Sequence, residues 1–147
     1  MNSPLSRLLP RPRSARCCGG QFTLKTPCTV FCGADPLTVS SVKLVLEAVP
    51  GALWRFSDEP GHAEICFRFT PEMTRPQSYR ILVGHDKAEV SAHDPAGLFY
   101  AAVTLAQLAR LSENVLPGCE ILDSPDSFVR GVMLDISRDK VPTMDTL

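Results

Sequence analysis

Residues 79–111 read YRILVGHDKAEVSAHDPAGLFYAAVTLAQLARL, and this stretch decides the fold class. Tyr79 to Val83 is a β-prone run, and Ala88 to Ala92 (AEVSA) is a second. Gly84-His85-Asp86 between them reads as a turn, which predicts a hairpin with His85 at its solvent-facing tip. Asp94-Pro95 then starts a helix. The carboxylate caps free amides at the helix N-terminus, a role worth about 1 kcal/mol, and proline fits the first helical position. His93 beside it reads as structural. The helix is predicted from about Ala96 to Leu111. Leu98, Ala102, Leu105 and Leu108 or Ala109 form one stripe, widened by Phe99 and Val103. Ala101, Ala102, Ala106 and Ala109 let a sheet approach closely.

Working outward toward the N-terminus, Asp35-Pro36 repeats the same helix start. Before it, Thr29 to Cys32 is β-prone. After it, Val39, Val42, Leu46 and Val49 recur at helical spacing until Pro50-Gly51. Ala63 to Thr70 (AEICFRFT) alternates Ile65, Phe67 and Phe69 with Glu64, Cys66 and Arg68, the pattern of a half-buried strand. Trp54, just past Pro50-Gly51, reads as packed at a sheet edge. The order strand, helix, strand, hairpin, helix predicts the α+β class: a mostly antiparallel sheet with two helices on one face, over residues 22–127.

A hydrophobic content of 44% in 147 residues is that of an ordinary globular domain with appendages. A net charge of −1 leaves no electrostatic footprint for nucleic acid or an anionic membrane surface. No apolar run approaches the roughly 20 residues of a membrane span. The six cysteines, at 17, 18, 28, 32, 66 and 119, show no disulfide framework, and most read as small buried hydrophobes. Cys28-x-x-x-Cys32 has no second Cys/His pair at zinc-like spacing, so neither metal nor cofactor is expected. MNSPLSRLLPRPRSAR at the start carries four arginines, no acid and three prolines. It has neither a secretory signal's apolar segment nor an unbroken amphipathic helix, so residues 1–21 read as a disordered basic tail. The compartment stays open.

The last twenty residues, FVRGVMLDISRDKVPTMDTL, have a different character. Val132-Met133-Leu134 is a continuous apolar run, as in a strand buried on both faces of a parallel sheet or barrel. Asp135, Ser137 and Arg138 follow at its C-terminal end, where (β/α)8 barrels place their active sites. Pro142-Thr143-x-Asp145 reads as the start of a helix. Residues 128–147 are therefore expected to be the first strand and helix start of a barrel cut short.

Two motifs carry a resemblance. Asp94-Pro95-Ala96-Gly97-Leu98-Phe99-Tyr100-Ala101, followed by Thr104-Leu105-x-Gln107-Leu108, resembles the second helix of the accessory domain in glycoside hydrolase family 20, the β-N-acetylhexosaminidases. Arg130-Gly131-x-Met133-Leu134-Asp135-Ile136-Ser137-Arg138 resembles the start of that family's catalytic barrel. The resemblance implies that Arg138 binds hydroxyls of a terminal N-acetylhexosamine, a task suited to a planar, permanently charged guanidinium. It implies that Asp135 orients Arg138 and that Arg130 has a structural role. Family chemistry is substrate-assisted: the 2-acetamido oxygen attacks the anomeric carbon, a glutamate protonates the leaving oxygen and a neighbouring aspartate orients the acetamido group. That Asp-Glu pair belongs to a later barrel strand and is missing from this sequence. Asp58-Glu59 sits in a polar loop and does not replace it. Asp139 also departs from the histidine many relatives place after the arginine.

The expected function is thus the non-catalytic N-terminal portion of a β-N-acetylhexosaminidase. Its partner is the rest of the barrel, and terminal N-acetylhexosamine is met only in that context. Two alternatives are a free-standing carbohydrate- or protein-binding module and a remnant without function. Trp54 and two tyrosines make no aromatic sugar platform, which weighs against the module.

Overall fold

The computed structural model describes residues 3–133, Thr143 and Asp145. A single 3-10 turn, Pro4–Arg7, precedes strand β1, Ser14–Thr23. Next along the chain come β2 (Cys28–Gly33), α1 (Pro36–Glu47), β3 (Trp54–Phe56), a 3-10 turn at Pro60–His62, β4 (Ile65–Phe69), β5 (Tyr79–Val83), β6 (Ala88–Ala92), α2 (Pro95–Leu111) and β7 (Val115–Asp123). The strands form one seven-stranded sheet in the order β1-β7-β5-β6-β4-β2-β3.

The β5–β6 hairpin falls where its sequence places it, with Ile81 opposite Val90 and His85 exposed at the turn. Both Asp-Pro starts are helix caps: Asp35 accepts from the amides of Leu37 and Thr38, and Asp94 from that of Gly97. The two helices pack side by side, with α2 over β5 and β6. Ile65, Phe67, Ile81 and Val90 of the sheet meet Val42, Leu46, Leu98 and Leu105 of the helices, all at most 1% exposed. Close-packed apolar burial on this one face is the main force holding the layers together.

Gly97 shows how tight the contact is. A Cβ there would lie 2.5 Å from the Ser78 carbonyl oxygen and 3.1 Å from the Ala92 Cβ, so the first turn of α2 rests directly on backbone. The motif's glycine is thereby a packing requirement of the fold.

Three expectations change. The sheet is mixed: β1–β7, β7–β5 and β5–β6 are antiparallel, while β6–β4, β4–β2 and β2–β3 are parallel. The α1 crossover returns the chain parallel to β2 at β3, and the chain then comes back on β2's other side as β4, parallel again; the hairpin lays β6, not β5, beside β4, so that pairing is parallel too. Second, residues 3–21 are not a disordered tail. Leu5 and Leu8 are buried, at 8% and 2% exposure, and β1 pairs with β7 along most of its length. Gln107 of α2 fastens the approach through Leu9, accepting from its amide at 2.6 Å and donating to its carbonyl at 2.8 Å. Third, Phe99 and Val103 do not widen the buried stripe of α2; they are 36% and 39% exposed, and Ala101 and Ala106 take the inner positions. Val132 and Met133 lie in no strand and are over 90% exposed; the rest of the expected barrel strand, from Leu134, lies outside the described residues.

The sheet's other face is polar. Glu120 of β7 is held between Arg80, whose Nε donates to it at 2.7 Å, and Arg16. The Arg80 hydrogen bond, followed by that of Arg16, holds the Glu120 carboxyl below the usual carboxylate range. Lys87 pairs with Glu89 at 2.5 Å on the same face.

Candidate interdomain junction

One end of the sheet gathers an unusual number of chain ends. β1 begins there opposite the end of β7, and the start of β5 faces both the end of β7 and the end of β6. Helix α2 begins there too, two residues after β6. The backbone beyond Asp123 leaves from this end.

Polar side chains around a cleft of about 510 Å³ fix that departing segment; Arg13, Gln77, Tyr79, Tyr100, Asp123 and Arg130 are among its walls. Tyr79 is at its base, 3% exposed. Burial pushes the Tyr79 hydroxyl well above its ordinary pKa, so it stays a proton donor. It donates to Asp123 Oδ2 at 3.1 Å and meets Thr104 Oγ1 at 2.7 Å. The other Asp123 oxygen accepts from the Arg13 amide at 3.1 Å, joining β7's end to the residue before β1.

From that base five of the next seven residues are held in turn. Arg13 Nε donates to the Ser124 carbonyl at 2.9 Å, and its guanidinium pairs with Asp126. Arg75 donates to the Pro125 carbonyl at 3.0 Å. The Gln77 side chain donates to the Phe128 carbonyl at 3.2 Å and accepts from Arg130 at 3.0 Å. Arg130 lies over the Tyr100 ring, 4.7 Å from its centroid, a cation–π arrangement. Each exposed contact is individually weak. Together they hold the backbone carbonyls of Ser124, Pro125 and Phe128, which sets the direction of residues 124–130.

Asp94 reaches into the same network. Besides capping Gly97 at 2.8 Å, it accepts from the Gln77 amide at 2.8 Å. Gln77 has a φ of 61°, the left-handed region that non-glycine residues rarely adopt. The bond from Asp94 stabilises that turn, and the turn aims the Gln77 side chain at Phe128 and Arg130.

This arrangement can orient a chain. Asp58 and Glu59 are exposed, far from being a buried acid pair, and Glu59 instead contacts His62 at 3.2 Å. His93 is exposed, with Nδ1 2.5 Å from the Met73 carbonyl, which makes its role structural. Trp54 stands in the edge strand β3, half-buried. Among the described residues no group of three His, Cys, Asp or Glu could hold a metal ion, and no helix is long and apolar enough to cross a membrane. Asp135, Ser137, Arg138, Asp139 and Pro142 lie outside the described residues.

The residues of the clamp carry no local signature, except Arg130 in a structural role. Arg13 sits in a stretch that reads as a tail, and Arg75 and Gln77 sit in an unremarkable turn. One signal was available: Tyr100 and Thr104, polar-tipped and four apart, share a face of an otherwise apolar helix.

Known proteins share this architecture. The solved N-acetyl-β-hexosaminidase of Streptomyces plicatus superposes with a TM-score of 0.78 at 24% identity, over 92% of this chain and 30% of that one. An exo β-N-acetylglucosaminidase of family 20 from Vibrio harveyi gives a TM-score of 0.74 at 25% identity, over 90% of this chain and 21% of that one. Among curated proteins, an N,N'-diacetylchitobiase of Vibrio harveyi is 36% identical over 73 residues, 48% of this chain and 8% of the relative. The chain thus spans less than a third of each of these relatives. The family profile described as glycosyl hydrolase family 20, domain 2, matches residues 5–124, from the 3-10 turn to the last strand. That match takes in both helices, the whole sheet and the base of the clamp, and the chain belongs to glycosyl hydrolase family 20, through its domain 2.

Proposed function

We propose that the domain is the non-catalytic scaffold of a β-N-acetylhexosaminidase. In this reading it packs against a (β/α)8 barrel that begins at Phe128 and hydrolyses terminal N-acetylhexosamine residues. Arg138, oriented by Asp135, contacts the sugar's hydroxyls there. The observation that carries the reading is the clamp on residues 124–130: a domain that grips its own exit segment at three carbonyls and through a stacked arginine is built to aim the next domain. The motif from Arg130 to Arg138 supplies the identity of that domain. In this reading the acid and the orienting aspartate of the substrate-assisted mechanism are supplied by the barrel.

The test is an assay of the 147-residue chain with a nitrophenyl N-acetylglucosaminide, beside a family 20 hexosaminidase as positive control. The chain is expected to release no nitrophenol. Turnover that scales with chain concentration and survives repurification would sink the scaffold reading. Calorimetric titration with N-acetylglucosamine oligomers separates the binding-module alternative, which requires saturable heat where the scaffold reading expects none.

A further inference from the structure

We propose that Cys17 and Cys119 are a redox-responsive pair that closes into a disulfide between β1 and β7. This goes beyond the scaffold reading and does not depend on it. The two residues are directly opposed Cα partners in the antiparallel β1–β7 ladder. Opposed residues in such a ladder have Cα atoms about 4.5–5.5 Å apart and Cβ atoms about 4.5–5.5 Å apart. A disulfide accepts Cα separations of about 4.4–6.8 Å and Cβ separations of about 3.5–4.5 Å, so only a small local shift is needed. Cys17 is exposed and its thiol donates to the Gly118 carbonyl at 3.5 Å, which leans the sulfur toward β7. Cys119 is fully buried.

The surrounding backbone gives the bond something to do. Ladder register breaks immediately after Cys17 and resumes at Gln21. Gly19 and Gly20 turn through φ near +79° and +78° there, and the Gly19 carbonyl occupies the space a Cβ on Gly118 would need. The first half of β1 is therefore a short edge segment, four residues paired to one neighbour. It directly follows Arg13, which grips Ser124 and Asp126. A covalent link at Cys17 would fasten that half-strand, and with it the Arg13 grip.

The chemistry needs a low-molecular-weight disulfide such as glutathione disulfide as oxidant. The Cys17 thiolate attacks one of its sulfurs, forming a mixed disulfide and releasing one thiolate. Cys119, deprotonated, attacks the Cys17 sulfur and releases the second. The two cysteine protons end on the two released thiols. Burial, and then the neighbouring Cys18 and Cys17, push the Cys119 thiol up to about 12, so the second step is the slow one.

The experiment incubates the full chain with glutathione disulfide or dithiothreitol, alkylates residual thiols and maps tryptic peptides. Cleavage after Arg16, Lys25, Arg110 and Arg130 puts Cys17 and Cys18 on one peptide and Cys119 alone on another. Oxidised wild type and Cys18→Ser are expected to give the linked pair, and Cys17→Ser to give none. Cys17 is exposed, so its variant is expected to fold. Closing a loop of roughly 100 residues should raise the thermal midpoint of the oxidised chain by roughly 5–15 °C, reversed by dithiothreitol. A link that forms equally in Cys17→Ser, a Cys17–Cys18 bond within one peptide, or a glutathione adduct that persists unresolved would each overturn the proposal.

Discussion

The two helices begin with the same dipeptide and end up with different duties. Asp35-Pro36 and Asp94-Pro95 each supply a capping carboxylate and a proline at the first position. Asp35 satisfies only its own helix: the amides of Leu37 and Thr38, and the Thr38 hydroxyl at 2.5 Å. Asp94 divides its oxygens, one for Gly97 and one for Gln77, seventeen residues away. At the third helical position α1 has Thr38, which bonds back to its cap, whereas α2 has Gly97, which yields its side-chain space to Ser78. Helix α1 buries Thr38, Val42 and Leu46 and leaves Leu37 and Leu44 over 70% exposed, whereas α2 buries eight positions and touches the clamp through Tyr100 and Thr104. An identical local signal thus serves a peripheral helix in one case and the organising helix of the domain in the other.

The contrast can be broken by mutation, most forcefully in the cores. Leu105→Ala in α2 leaves a cavity among fully buried neighbours and should cost about 4 kcal/mol. Leu44→Ala in α1, at a position 72% exposed, should stay within about 0.5 kcal/mol. Urea unfolding followed by circular dichroism measures both; equal losses would mean that α1 is buried by something the structure does not contain. The caps come next. Asp94→Ala removes a cap and a bond to a left-handed residue and should cost about 2–3 kcal/mol, against about 1 kcal/mol for Asp35→Ala. If the two losses match, the Gln77 bond contributes nothing and the link from α2 to the junction is wrong. Gly97→Ala is smaller but more specific. Elsewhere in a helix this change gains up to about 1 kcal/mol, whereas here overpacking against the Ser78 backbone should turn it into a loss of about 1–2 kcal/mol. A stabilised Gly97→Ala protein would show that α2 can lift off the sheet freely.

The same contrast explains what could be read from the residues. Strands β4, β5 and β6 and both helices follow periodicity, because each is amphipathic and bounded by Asp-Pro, Gly or Pro. β1 and β7 do not. Gly19, Gly20, Pro117 and Gly118 look like loop residues, yet they form the bulge where the two strands cross closely, a tertiary fact with no local signature. β3 is three residues long, too short to show alternation, and the parallel half of the ladder depends on which strands lie side by side, β6 and not β5 next to β4, which no local pattern shows. The junction was hidden for a related reason: its arginines and glutamine hold backbone carbonyls, and any backbone can present a carbonyl. Tyr100 and Arg130 lie thirty residues apart, and only the fold stacks them.

The smallest expected effect separates the helices by pH. The Thr38 hydroxyl, and after it the Thr38 amide, hold the Asp35 carboxyl below its ordinary value near 3.8. A folded-state pKa lowered in this way stabilises the protein while the carboxylate is charged in both states, and the contribution disappears as pH falls through the folded value. Asp35→Asn keeps a capping side chain but has no proton to gain. The stability difference between wild type and Asp35→Asn should therefore be constant from pH 7 down to about 5 and shrink as the pH falls through and below the ordinary value near 3.8. Glu64, Glu89 and Glu120 are also held below the carboxylate range, so both proteins lose stability in acid and only their difference reports on Asp35. Denaturant midpoints at closely spaced pH values supply that difference. A difference that stays flat down to pH 2 would mean that the Thr38 bond does not distinguish charged from neutral Asp35, and the cap of α1 would then be a purely geometric one.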